Sequence, residues 1–386
     1  MAHSSTSNSH LLAFGPEMEF LIRPRQAIIP QLVNSGWNIN IKPNSTNEKL
    51  KETNKSIMRA EIANSLREFG ISAGLTTTNY GEWSVVDERS LDEANDFWRV
   101  EIISKILLTT DDWQTEVEGV FLALNAGWQI SLTTGCSMHV HVSPGITDQD
   151  VYSTPQIRRI MKAIAFYDDA ITKIMPADRK NNQWAMSNFR GQDAPNHLQQ
   201  AYAAVPTRTW APLFARFDQL KMKQMVHMEF GQSRYLSWNF SNLTAQCGTV
   251  EFRRPPAVQT ATAAKHWAGV ALGFVSEAII TDFKPHCSHN AYGRIDSLQR
   301  FISDGVKRLG GHCQRAVIFE NLVEDRNPPT VYSAAQLQVI ARKKLEKNQQ
   351  GSPFATKANS RPSSPASRTS SPGARSNASS SSSKRS

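Results

Sequence analysis

Several familiar devices are missing from this chain. It has no Gly-x-x-x-x-Gly-Lys loop, no Gly-x-Gly-x-x-Gly opening a helix and no Gly-x-Ser-x-Gly elbow. A nucleotide, if one binds, must therefore be held through metals and single Arg and His residues. Cysteine is scarce: Cys136, Cys247, Cys287 and Cys313 are too few and too scattered for a disulfide framework, which favours a reducing compartment. No apolar run approaches a membrane span. Met1 to His10 is polar and has no signal-peptide core, so a cytoplasmic protein is expected, with residues 1–10 disordered. Acidic residues cease at Glu346. From Lys347 onward Ser, Pro, Ala and basic residues dominate.

That last absence decides how the charge is read. Of the formal net charge of +9, seven charges come from Lys347, Lys357, Arg361, Arg368, Arg375, Lys384 and Arg385, which leaves about +2 for the body. The basic character belongs to a segment expected to be disordered, 347–386, and not to a folded binding face. Such a tail supports at most weak contact with nucleic acid or acidic partners. Its Ser352-Pro353, Ser364-Pro365 and Ser371-Pro372 steps are candidate phosphorylation sites that would offset the basic charge.

The body, 11–346, has enough apolar residues for a core, at 40% of the chain. Strands are expected at Leu11 to Arg23, in pieces of Ile71 to Ser84, over Val100 to Leu108, at Met138 to Ser143, and as a hairpin of Tyr235 to Phe240 with Gly248 to Arg253. Helices are expected over Glu48 to Phe69, Glu116 to Ala126, Val151 to Ile174, Trp210 to Met225, Thr260 to Ile280, Ile295 to Leu309 and Ser333 to Lys347, with a loop at Asp178 to Asn182. Hairpins and meanders between helices, without regular βαβ alternation, predict one α+β domain with a curved, largely antiparallel sheet flanked by helices.

Three segments carry the chemistry. Glu17 and Glu19, His139 and His141, and Glu251 and Arg253 each sit at i and i+2 among apolar neighbours, so each pair shares one face of a strand. Charged groups near a core are paired or bind metal. Each pair also has a plainer reading: an exposed acidic strand, a satisfied histidine pair, an edge ion pair worth little. If the three strands share a sheet, a divalent-metal site with an arginine beside it accounts for all of them. Glu101 places a further charge at the start of an apolar strand. Asp87 with Ser90 sits in a turn and suits a cap as well as a site, and Arg179 suits an anion or solvent. His286-Cys287-Ser288-His289 with His312-Cys313 has zinc-ligand residue types but the spacing of no standard finger.

In order, these segments resemble the amidoligase family, carboxylate–amine ligases of the glutamine synthetase and glutamate–cysteine ligase superfamily. The resemblance rests on Gly-Pro-Glu-Met-Glu-Phe at 15–20, Val-Val-Asp-Glu-Arg-Ser-Leu at 85–91, Val-Glu-Ile-Ile-Ser at 100–104 and Gly-Cys-Ser-Met-His-Val-His-Val-Ser at 135–143. It continues through Pro-Ala-Asp-Arg-Lys at 176–180, Asn239, Gly-Thr-Val-Glu-Phe-Arg at 248–253 and Lys-His-Trp at 265–267. It implies a glutamine synthetase-like catalytic fold with ATP and Mg²⁺ or Mn²⁺ on the sheet's concave face. It also implies amide formation through an acyl phosphate between small-molecule or peptide carboxylates and amines. By position, Glu17, His139 and Glu251 would hold the metal nearer the nucleotide phosphates, and Glu19 and Glu101 the metal nearer the acceptor carboxylate. His141 would contact phosphate and Arg253 would neutralise the phosphoryl group, while Asp87, Arg179 and Asn239 would make substrate, phosphate or metal contacts. Lys105 replaces the family's usual Pro, and Glu88-Arg89 stands where a Gly is usual. The competing expectations are a metal-dependent amide hydrolase with the same ligands, and an inactive relative that acts through its basic tail.

Overall fold

The computed structural model describes residues 11–349 except 77–79, 94–95, 148, 222–225, 227–228, 230–232 and 245–247. The disorder expected at 1–10 and beyond Gln349, the Ser-Pro steps and Cys247 lie outside the described residues.

The architecture is α+β, and nine strands among the described residues form one open sheet. They are β1 (Ala13–Pro24), β2 (Ala73–Gly74), β3 (Trp83–Val86), β4 (Trp98–Ile103), β5 (Leu107–Leu108), β6 (Trp128–Ser131), β7 (Met138–Ser143), β8 (Trp238–Asn239) and β9 (Val250–Phe252). The order is β2-β3-β4-β1-β7-β9-β8, with β5 and β6 also pairing on β1. Only β2 with β3 is parallel among these pairings. The long β1 is central because it pairs with four other strands.

Register turns the sequence alternation into two chemically distinct faces. Met18 lies opposite Ile102 and Met138, Phe20 opposite Val100, and Val140 opposite Phe252. All of these are buried in one apolar core. The residues between them point the other way: Glu17 opposite His139, Glu19 opposite Glu101, and Glu251 opposite both His141 and Asn239. One face of the sheet is thus apolar and the other carries the ionisable groups.

The helices are α1 (Ile29–Asn34), α2 (Glu48–Glu68), α3 (Trp113–Gly127), α4 (Thr154–Ile174), α5 (Ala177–Lys180), α6 (Asn196–Ala203), α7 (Ala211–Asp218), α8 (Ala261–Ala278), α9 (Ile295–Leu309), α10 (Gly311–Gln314) and α11 (Ala334–Gln349). Helices α3 and α8 pack on the apolar face. Phe121 meets Phe20 edge-on at 6.2 Å, and Phe274 stacks on Trp238 at 4.9 Å. Local signals set the helix ends. Asn47 caps α2 by accepting from the Leu50 amide, and Gly70 ends it in the left-handed region at φ +79°. Ser153 and Gln156 form a capping box at α4. Helices α8 and α9 touch through glycine, since a Cβ on Gly305 would lie 1.9 Å from the Gly273 carbonyl oxygen.

Four expectations need adjustment. The strand expected over Val100 to Leu108 is two pieces, β4 ending at Ile103 and β5 at Leu107–Leu108, with the Ser104 amide still donating to the Pro16 carbonyl. The loop expected at Asp178 to Asn182 begins as the short helix α5, closed by the Arg179 and Lys180 amides on the Pro176 carbonyl. The helix from Trp210 ends at Asp218, with 222–225 outside the described residues. The last helix, expected to end at Lys347, runs on as α11 to Gln349, into the segment expected to be disordered. No helix among the described residues is long and apolar enough to cross a membrane.

Candidate active site

The centre of the polar face is built by β4, β1, β7 and β9, adjacent in that order. Glu17, Glu19, Glu101, His139, His141, Glu251 and Arg253 are all less than a tenth exposed. Three overlapping groups of potential metal ligands occur there: Glu17 with His141 and Glu251, Glu17 with Glu101 and His139, and Glu19 with Glu88 and Glu101. Within each group one donor atom per residue lies within 4.8 Å of the others. All five carboxylates and both imidazoles therefore belong to one connected cluster.

A hydrogen-bond chain orients the donors. The Ser137 hydroxyl donates to Glu19 Oε2 at 2.7 Å, so its oxygen accepts from His139 Nε2 at 2.9 Å. A hydroxyl has one proton to give. That proton goes to Glu19, so Nε2 of His139 carries hydrogen and Nδ1 is turned toward Glu17 Oε2 at 3.3 Å and Glu251 Oε1 at 3.6 Å. Thr249 Oγ1 holds His141 Nδ1 at 3.0 Å and turns Nε2 toward Glu17 Oε1 at 3.2 Å and Glu251 Oε1 at 3.7 Å. Outer-shell partners of this kind fix ring orientation in metal sites. Asn239 Nδ2 donates to Glu251 Oε2 at 2.6 Å, while its own Oδ1 accepts from the amide and hydroxyl of Ser241. Arg253 Nη1 bonds Glu251 Oε1 and lies 3.5 Å from His139 Nδ1.

The charges are uneven. Burial would raise the Glu17 carboxyl, but His141 and His139 outweigh it and hold Glu17 well below the usual range. Glu251 is likewise resisted by burial yet held to about 2 by Arg253 and the two histidines. Glu101 goes the other way. Burial, reinforced by Glu17, Glu88 and Glu19, pushes it well above its ordinary value. Against burial, Glu17 and Glu251 raise His141. Carboxylates outnumber the cations available to them, and one carboxyl is driven to keep its proton.

The expected residues divide by position. Glu17, Glu19, Glu101, His139, His141, Glu251 and Arg253 converge, with Asn239 beside Glu251. Within the cluster His141 groups with Glu17 and Glu251, whereas His139 groups with Glu17 and Glu101. Arg179 is buried, and its Nη2 and Nε donate to the Arg253 and Arg254 carbonyls at 2.7 and 3.1 Å, while Arg254 Nε returns a bond to the Arg179 carbonyl. Burial lowers Arg179 to about 10, against the pull of Glu19 and Asp178. Asp87 forms a two-pronged ion pair with Arg99, at 2.8 and 3.2 Å. The zinc-like motif does not assemble. His312 lies 3.4 Å from Asp112, His286 packs edge-on against Phe166, and no ligand group among the described residues includes either.

Four contributors escaped the sequence reading: Ser137, Thr249, Glu88 and Lys347. Ser137 and Thr249 lie two residues before His139 and Glu251, so period-two spacing could have found them. Glu88 opens a turn, its carbonyl accepting from the Leu91 amide, and has no such signal. Lys347 Nζ, from α11, meets Glu88 at 2.9 and 3.0 Å. Together with Ser90, that ammonium overcomes burial and holds Glu88 at about 2.

The donor set suits hard divalent cations. Carboxylate oxygens predominate, one or two imidazoles join them, and no sulfur is present. Arg253 adds a buried Nε without a hydrogen-bond partner among the described residues. An anion beside the cations would satisfy it. No curated protein matches the chain in sequence. A family model described as "putative amidoligase enzyme" matches residues 11–275. That span runs from β1 into α8 and takes in the cluster except Lys347.

Proposed function

The chain belongs to the amidoligase family, and from that membership we propose that it is an ATP-dependent carboxylate–amine ligase with a glutamine synthetase-like catalytic arrangement. The observation that carries the proposal is the convergence of Glu17, Glu19, Glu101, His139, His141 and Glu251 on one face with Arg253 beside them. Phosphoryl transfer rests mainly on positioning and charge neutralisation, which is what this donor set provides.

A carboxylate is a poor electrophile. In the proposed reaction a carboxylate oxygen attacks the γ-phosphorus of ATP, the bond to ADP breaks, and an acyl phosphate forms. An amine then attacks the acyl carbon, phosphate leaves with the bonding pair, and the amine gives up a proton as the amide forms. Glu17, His141 and Glu251 would hold one Mg²⁺ or Mn²⁺, Glu19 and Glu101 a second, and His139 lies between the two groups. When bound, such ions neutralise phosphate oxygens. Arg253, anchored on Glu251, points its charge at the transferring group. Arg179 positions Arg253 through its carbonyl, and Asn239 positions Glu251. Burial keeps water from the activated carboxylate.

The test is thermal stability with Mg²⁺ and a non-hydrolysable ATP analogue, for wild type and Glu251→Gln. A shift that needs both ligands and is lost in the variant supports the ligase. A shift with Zn²⁺ alone, and amide cleavage without nucleotide, points to a hydrolase. ADP release that requires both a carboxylate and an amine then identifies the substrates.

A further inference from the structure

Helix α11 fully buries no side chain, yet its C-terminal half is tied down on both sides. Lys343 Nζ meets the Ser90 carbonyl at 3.0 Å and Asp92 at 2.6 Å, and Lys347 Nζ meets Glu88. These partners follow β3. On the other side Lys344 Nζ meets Asp193 at 2.8 Å and lies over the Tyr235 ring, and the Tyr235 hydroxyl bonds the Lys344 carbonyl at 3.2 Å and Asn348 at 3.0 Å. Those partners precede β8. Residues 343, 344 and 347 share one helical face, so a single face spans two rims that are remote in sequence. Apart from the Lys344–Tyr235 ring contact, these are hydrogen bonds and ion pairs.

Lys347 matters most. Its partner Glu88 shares a ligand group with Glu19 and Glu101, the two carboxylates assigned above to the acceptor-side cation. Glu19 and Glu101 also act on the Lys347 ammonium. An ammonium at ion-pair distance from Glu88 and a divalent ion among the same carboxylates compete for the same negative charge and repel each other. The other ties of α11 are hydrogen bonds, ion pairs and one ring contact near its surface, each of which contributes little by itself.

We propose that α11 is an autoinhibitory strap: Lys347 neutralises the Glu19–Glu88–Glu101 end in place of a divalent cation, and cation loading there releases the helix and opens the site. This rests on the ligase reading in so far as Glu19 and Glu101 take a metal. The strap is supplied by residues 334–349, beyond the stretch that matches the family.

Hydrogen exchange read by mass spectrometry on the full chain tests it, with Mn²⁺ binding followed separately by its paramagnetic resonance. Expected in wild type is slow exchange of the 334–349 amides without cation and at least a tenfold rise with saturating Mn²⁺. Lys347→Ala should show the fast rate without cation and bind Mn²⁺ more tightly, whereas Lys347→Arg should retain slow exchange. Helix α11 is at most partly buried, so Lys347→Arg should leave the melting of the body unchanged; Lys347→Ala, which leaves the buried Glu88 without its ammonium, should lower it while keeping one cooperative transition, which separates release from misfolding. Mn²⁺ bound to wild type with α11 still protected would overturn the strap and leave the ligase reading standing. Fast exchange in Lys347→Ala with no Mn²⁺ bound by either protein would sink the cation switch together with the metal-dependent ligase. A Lys347→Ala helix as protected as the wild-type one would also overturn the proposal.

Discussion

Glu101→Gln separates charge from shape at the centre of the cluster. Glu101 belongs to two ligand groups and faces Glu17, Glu19 and Glu88 with donor atoms within 4.8 Å. At an effective dielectric near 20, one such carboxylate pair at that limit repels by roughly 3.5 kcal/mol. Ionising Glu101 against three of them is unfavourable, in agreement with its raised pKa. Without cations, between the ordinary value of 4.5 and its raised folded value, the folded chain therefore holds a proton on Glu101 that the unfolded chain releases. The sign follows: this group lowers stability as pH rises from the ordinary value of 4.5 through the folded pKa. Glutamine copies the protonated acid, so Glu101→Gln should leave cation-free stability unchanged or higher by up to about 1 kcal/mol near neutral pH and should flatten its pH slope. Cation binding should behave oppositely. At about 100 times its dissociation constant a ligand adds roughly 2.7 kcal/mol. With about 2.1 cal/mol/K per residue over about 330 ordered residues, that is a rise in melting temperature of about 4 °C. Differential scanning calorimetry with and without Mn²⁺ should show that rise in wild type and less than a quarter of it in the variant. A variant that melts several degrees lower without cation, or that keeps the full Mn²⁺ shift, would refute the reasoning.

Other outcomes follow from named contacts. Glu251→Ala strips the buried Arg253 of its carboxylate and Asn239 of its acceptor, and should cost about 3–5 kcal/mol in urea unfolding. Glu251→Gln, which keeps an acceptor oxygen, should cost less while still abolishing cation-dependent stabilisation. Because Glu101 is pushed upward and a cation needs its carboxylate, Mn²⁺ binding at pH values above 4.5 should release protons and tighten as pH rises. Titration calorimetry in two buffers of different ionisation enthalpy measures this directly, and buffer-independent heats would contradict it. Gly305→Ala drives a methyl group into the Gly273 carbonyl where α8 and α9 touch. It should destabilise by about 1–3 kcal/mol or more, while leaving Mn²⁺ affinity unchanged in whatever fraction stays folded.

Much of the site was legible because strand chemistry is local. An i, i+2 pair of glutamates, of histidines, or of glutamate and arginine must share a face whatever the strand pairs with, and those pairs supplied six of the converging side chains. Helices with a cap and a terminator, such as Asn47 to Gly70, were legible for the same reason. Contributors without a period were not. Glu88 opens a turn that any surface loop could contain, and Lys347 opens a run of Ser, Pro and basic residues whose composition reads as disorder. Composition averages over a window, whereas the helix end is decided by individual contacts of Lys344, Lys347 and Asn348 with Asp193, Glu88 and Tyr235.

The sequence alone determined which groups share a strand face, which segments become helices, and that the carboxylates, imidazoles and arginine needed a common partner. Only the tertiary structure decided that β4, β1, β7 and β9 lie side by side in that order and register, so that Glu101, Glu17, His141 and Glu251 meet. It also decided that a lysine 259 residues away from Glu88 closes the acidic end. Strand order and register are set by packing an entire apolar face against α3 and α8, a sum over many distant contacts that no local pattern encodes.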